Sequence, residues 1–80
     1  MSFRESNVSI DTPYIRLDSM MKLAGAVDTG GMAKLVIQNG MVKVNGETCT
    51  MRGKKMRNGD FFEFDDMISH LEAPAESPED

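Results

Sequence analysis

Met41-Val42-Lys43-Val44-Asn45-Gly46-Glu47-Thr48-Cys49-Thr50 is the stretch on which the fold turns. Residues alternate in character up to Asn45-Gly46 and again beyond it. Asn-Gly between two alternating segments is the strongest short-range signal for a β-hairpin, because both residues accept the positive φ of a tight turn. A two-residue turn pairs Val44 with Glu47, Lys43 with Thr48 and Val42 with Cys49. Side chains alternate across a strand, so Val42, Val44 and Cys49 share the core face, and Lys43 and Thr48 the other.

Upstream of the hairpin the period is helical. Leu17, Met20, Met21 and Ala24 fall at i, i+3, i+4 and i+7, and Leu23 and Val27 extend the stripe, which predicts a helix over 17–27. Asp18 and Lys22 stand four apart, acid first, the favourable order for a helix pair. A second helix starts after Asp28 or Thr29 as cap, opens on Gly30-Gly31 and stops at Asn39-Gly40. Met32, Leu35 and Val36 form one apolar stripe, and Ala33, Val36 and Ile37 widen it. The short gap makes the two helices a tight pair. Before them, Met1–Ser6 is polar and loose, while Val8, Ile10, Tyr14 and Ile15 suggest a short extended segment. Downstream, 52–57 forms a basic loop and Phe61–Phe64 a strand with Phe62 and Phe64 inward. Met67–Leu71 fits a helical turn or a short strand. The domain organisation expected is a flexible N-terminus over 1–7, a single domain over 8–71, and a disordered acidic tail over 72–80.

The chain has 80 residues and a hydrophobic fraction of 40%, which suits one small domain. One cysteine and one histidine argue against a disulfide framework and the usual metal cages. No apolar run is long enough for a membrane span or a signal peptide, so a cytoplasmic address is expected. The net charge of −4 hides an uneven distribution. Residues 16–57 carry eight basic and three acidic side chains, and 58–80 carry eight acidic and no basic ones. A basic body of this kind points towards nucleic acid.

Catalytic chemistry finds no constellation. Cys49 reads as a small buried hydrophobe, His70 has no Ser or Cys at a persuasive spacing, and the adjacent Asp65 and Asp66 diverge. No catalytic residue, metal site or cofactor is expected.

Several strings carry a resemblance: Arg16-Leu17-Asp18, Leu23-Ala24-Gly25, Thr29-Gly30-Gly31-Met32-Ala33-Lys34, Ile37 to Glu47, and Arg52 to Asp60. Together they resemble the RNA-binding domain first described in ribosomal protein S-four, and more narrowly its small stand-alone bacterial members. The likeness covers roughly residues 14–64. The broad family places Ser-Arg at the start of the second helix, where this chain has Thr29-Gly30, so a contact by that Arg does not carry over. The resemblance implies an α+β fold. Two packed N-terminal helices would lie against a small, mostly antiparallel sheet, in the L-shaped arrangement called the alpha-L motif.

The residues supply candidate contacts of their own. Free amides at the start of the second helix, with Thr29, Gly30 and Gly31 giving close access and Lys34 beside them, suit a phosphate. The plainer alternative is that the glycines relieve crowding between the helices. Arg52, Lys54, Lys55 and Arg57 make the loop basic, with Met56 as an apolar anchor. Arg16 and Lys22 flank the first helix, and Lys43 stands on the outward face of the hairpin. Aromatic residues do not interleave with these bases, and Tyr14 reads as half-buried packing. Recognition of RNA shape and phosphate is therefore expected, not base stacking.

The function expected is non-catalytic binding of structured RNA, which the resemblance narrows to ribosomal RNA or tRNA in a bacterial cytoplasm, by a monomer associated with the ribosome. The alternatives are a ubiquitin-like protein-interaction or sulfur-carrier module, whose carrier form needs a C-terminal Gly-Gly where this chain has Pro78-Glu79-Asp80, and an RNA-modifying enzyme assembled with a partner chain.

Overall fold

Residues 4–75 are described by a computed structural model. In chain order they form β1 (Arg4–Ser9), β2 (Tyr14–Arg16), α1 (Leu17–Leu23), α2 (Gly30–Gln38), β3 (Val42–Val44), β4 (Glu47–Thr48), β5 (Lys55–Arg57), β6 (Phe61–Phe64) and β7 (Met67–Glu72). A five-stranded sheet runs in the order β1-β7-β6-β3-β4, and β2 pairs with β5 in a separate two-stranded ribbon.

The β3–β4 hairpin has the register its sequence predicts, Val44 with Glu47 and Lys43 with Thr48. The Cys49 amide donates to the Val42 carbonyl at 2.9 Å. Asn45 and Gly46 take φ of 53° and 90°, as the turn requires. Val42 and Val44 are buried, and Cys49 packs half-buried against the core. On the other edge of β3, β6 pairs antiparallel and sets Phe62 opposite Val44, where Phe62 is fully buried. A turn at Asp65 (φ 58°) folds β7 back along β6, so Met67–Leu71 is a strand.

Beyond β7 the architecture departs from expectation. The first described element is a strand, not a helix, and the helices come only after β1 and β2. The sheet is mixed, because β1 pairs parallel with β7 from Arg4↔Met67 to Ser9↔Glu72. The expected placement of both helices at the N-terminus is therefore overturned: this is a strand-rich α+β fold with the helices inside the chain order, and its mixed sheet keeps antiparallel pairing at every junction except β1–β7. The physical reason lies in the β1 sequence. Arg-Glu-Ser-Asn-Val-Ser contains one apolar residue, Val8, which is buried. Such a strand is specified by its distant hydrogen-bonding partner and not by local alternation. Ser6 reinforces the pairing: its Oγ lies 3.0 Å from the Oγ of fully buried Ser69. Strands thus occupy Arg4–Asn7 and Glu72, where the sequence suggests loose ends. Of those ends, residues 1–3 and 76–80, most of the expected acidic tail among them, lie outside the described residues.

Helix α1 buries Leu17, Met20 and Met21 on one face. It ends at Leu23 instead of Val27 because Gly25 takes φ of 81°, while the Ala26 amide turns back to the Met21 carbonyl. Thr29 caps α2, its Oγ1 accepting from the Met32 amide at 3.1 Å. Of the two overlapping stripes in α2, the structure buries Ala33, Val36 and Ile37 and leaves Met32 and Leu35 in solvent. The core lies between these helical faces and the inner side of the strands, with Phe62, Leu71 and Met56 opposite them.

Candidate nucleic-acid interface

The basic stretch 52–57 is only half a loop. Its second half is β5, antiparallel to β2, with Tyr14 opposite Arg57, Ile15 opposite Met56 and Arg16 opposite Lys55. Alternation turns Met56 into the core, where it is fully buried, with Ile15 packed beside it. Met56 is the anchor its sequence position suggests. Tyr14, Arg16, Lys55 and Arg57 are left exposed on the outer side of the ribbon. Arg16 and Lys55 face each other as like charges, an arrangement that disfavours the pairing. Asp18 offsets part of this cost. Its carboxylate accepts from Arg16 Nε at 3.2 Å and Arg16 Nη2 at 3.0 Å. The carboxylate that helical spacing assigns to Lys22 is thus taken by Arg16.

The remaining loop is tied down through its backbone. The Lys54 carbonyl accepts from the Leu17 amide at 2.9 Å and the Arg52 carbonyl from the Asp18 amide at 3.1 Å. These carbonyls do for α1 what a capping side chain does elsewhere, since Arg16 at the N-cap makes no side-chain cap. The loop is thereby registered on the helix, with the side chains of Arg52 and Lys54 exposed.

A second group forms around the start of α2. A Cβ on Gly30 would meet Lys22 Cδ at 4.0 Å, and one on Gly31 would meet Thr29 Oγ1 at 3.9 Å. Both are ordinary contacts, and neither glycine has positive φ. Crowding between the helices therefore does not require them. Lys22 lays its stem over Gly30, and Lys34 is exposed one turn into α2. A shallow depression of about 370 Å³ is lined by Ile15 of β2 and by Ser19, Lys22 and Leu23 of α1, so it borders both groups.

Lys43 does not join either group. It stands on β3 with Glu63 as its cross-strand neighbour in β6. Cys49 Sγ lies 3.7 Å from the Met51 carbonyl, and the His70 ring packs against Phe61 at 5.5 Å between centroids.

Tyr14 is not the half-buried packing residue its sequence suggests. It is 40% exposed and flanked by cations, with Lys55 Nζ 4.9 Å and Arg57 Cζ 5.7 Å from its ring centroid. Both distances fall within the cation–π range. Ser19 of the depression also escapes sequence reasoning, and Leu23, which the sequence adds to the apolar stripe of the first helix, is exposed there. The signal for Tyr14 is weak, because it lies in the β2–β5 register, which joins residues up to 43 positions apart and has no turn to announce it.

Comparison with known proteins agrees with the strings of residues quoted above. A family model described as the S4 domain matches residues 8–71, which take in every element from β2 to β6. The chain is also similar to a probable ribosome maturation protein, RlbA, of Bacillus subtilis (strain 168). The two are 41% identical over 58 residues, covering 72% of this chain and 82% of that protein. A match of that extent, over helices, hairpin and ribbon alike, places the chain in the S4 domain family.

Proposed function

We propose that this protein binds structured RNA without catalysis, through the outer side of the β2–β5 ribbon, the loop 52–54 and the start of α2. The observation that carries the reading is the ribbon itself. Arg16, Lys55 and Arg57 stand together on one exposed strand pair, with Arg16 and Lys55 as a like-charge cross-strand couple. Polyanionic RNA compensates such a couple, and planar guanidinium groups suit phosphate oxygens. Gly30 and Gly31 support it, since their small size has no use inside the fold and opens the α2 amides and Lys22 to a phosphate. Lys34, Arg52 and Lys54 extend the surface, whereas Lys43 beside Glu63 contributes least.

The relative's description as a probable ribosome maturation protein favours ribosomal RNA over tRNA as the target. A ribosomal target implies the cytoplasm. One basic surface per chain is sufficient for a monomer.

The test is titration of a labelled ribosomal RNA fragment and a tRNA across a salt series. Neutralising about five phosphates gives a slope of log K on log salt of about −3.5 to −4.5. A flat dependence, or no binding to either RNA, overturns the proposal.

A further inference from the structure

The ribbon holds one group that phosphate binding does not use. Tyr14 is the chain's single tyrosine, and there is no tryptophan. Its ring stands on the exposed strand pair with Arg57 directly opposite and Lys55 on the diagonal. The two cations lie 5.7 and 4.9 Å from the ring centroid. Tyr14 keeps 40% exposure on the outer side of the ribbon while its strand neighbour Ile15 turns to the core. The backbone there is also held. Thr12 Oγ1 donates to the Tyr14 carbonyl at 3.0 Å, and the β5 pairing fixes the other side.

From this geometry we infer that Tyr14 is a stacking platform for one unpaired nucleobase, with Lys55 and Arg57 holding the phosphates of the same nucleotide step. The inference rests on the RNA-binding reading and deepens it. The surface selects RNA that presents an unstacked base, such as a loop or bulge, over a continuous duplex. A base has a π face whatever its identity, so the site tolerates sequence while still demanding an unpaired nucleotide. An uninterrupted A-form helix offers phosphates and 2′-hydroxyls but no free base face. The two β5 cations beside the ring suit this task, because long, exposed side chains can turn from the ring to the nucleotide's phosphates when a base stacks there.

The experiment compares two RNA hairpins with the same stem and the same number of loop phosphates. One has an ordinary loop and the other an abasic loop. Removal of the bases should weaken binding to the unmodified protein by about 5- to 150-fold, the range that one stacked base supplies. Tyrosine fluorescence comes from Tyr14 alone and should be quenched by the ordinary loop and not by the abasic one. Tyr14→Leu should bind both hairpins with the same reduced affinity, and Tyr14→Phe should keep the preference, because stacking uses the ring and not the hydroxyl. Equal binding of the two hairpins by the unmodified protein overturns the stacking site while leaving RNA binding intact. A Tyr14→Leu variant that folds and keeps the preference does the same. Failure of both hairpins to bind overturns the stacking site together with the RNA-binding reading. The abasic comparison uses unmodified protein, so a variant that unfolds does not remove the test.

Discussion

Asp60 links the tight turns of the sheet, and its removal has a measurable cost. Its Oδ2 accepts from the Arg57 amide at 2.8 Å, and its Oδ1 accepts from Asn45 Nδ2 at 3.1 Å. Asn45 in turn accepts from the Phe61 amide at 3.1 Å. The carboxylate therefore fastens the end of β5 to the β3–β4 hairpin. Hydrogen bonds to a charged group contribute about 1.5–3 kcal/mol each when well shielded. Asp60 is only partly buried, so solvent takes a share of that. Asp60→Ala should then destabilise by about 2 kcal/mol. In a domain of this size, that lowers the unfolding midpoint by about 8–16 °C. Asn45→Gly removes the partner without straining the turn, since Asn45 already has φ of 53°. It should cost about 1 kcal/mol. The double variant should lose less than the two single losses together, by about 0.5–1 kcal/mol, because they share one bond. Thermal unfolding followed by circular dichroism of all four proteins closes the cycle. A loss below about 0.5 kcal/mol for Asp60→Ala would refute the account. So would strict additivity.

Lys54, Lys55 and Arg57 changed together to Ala should abolish most RNA binding and flatten its salt dependence. Stability should fall by less than about 1 kcal/mol, because relief of the Arg16–Lys55 repulsion offsets removal of the exposed cation–π pairs at Tyr14; unchanged binding by the folded variant would refute the placement of the site. Gly25→Ala should cost about 1–2 kcal/mol through its positive φ, although nothing lies within 4 Å of the added Cβ, as chemical denaturation would show. Gly31→Ala should leave stability unchanged or raised by up to about 1 kcal/mol while weakening RNA binding, so that denaturation and titration move in opposite directions. Cys49→Ala should cost about 1 kcal/mol and leave binding intact, as paired melts and titrations would show.

The elements legible in the sequence are those whose instructions are local. Asn45-Gly46 carries the hairpin and its register in ten residues, and Leu17, Met20 and Met21 carry the buried face of α1. Two overlapping stripes in α2 are not separable locally: Met32 and Leu35 are as apolar as Ala33 and Ile37, and only the packing shows which pair faces the strands. The sequence suggests extended chain at Tyr14 and Ile15, but β5 and its pairing with β2 are invisible, because alternation over three residues is no signal. That hides the position of Tyr14 and makes a strand look like a loop. The basic residues themselves are visible, but helical spacing pairs Asp18 with Lys22, whereas its carboxylate reaches back to Arg16. The Asn-Gly and Gly-Asp pieces read as family marks, and the structure gives them a mechanical use as the Asn45–Asp60 bond.

The parallel pairing of β1 with β7 also sets a timetable for folding. Arg4 meets Met67, 63 positions later in the chain. At about 5–20 residues per second during synthesis, β1 waits some 3–13 seconds before its partner has even been made. The hairpin and the helix pair, built from neighbours, close in microseconds once they emerge. An apolar strand left unpaired for seconds in a crowded cell invites pairing with other chains. Arg4, Glu5, Ser6 and Asn7 make that wait safe, because a charged and hydroxyl-rich strand has little to gain from a wrong partner. The polarity that weakens β1 as a sequence pattern is what suits it to wait for a partner made much later in the chain.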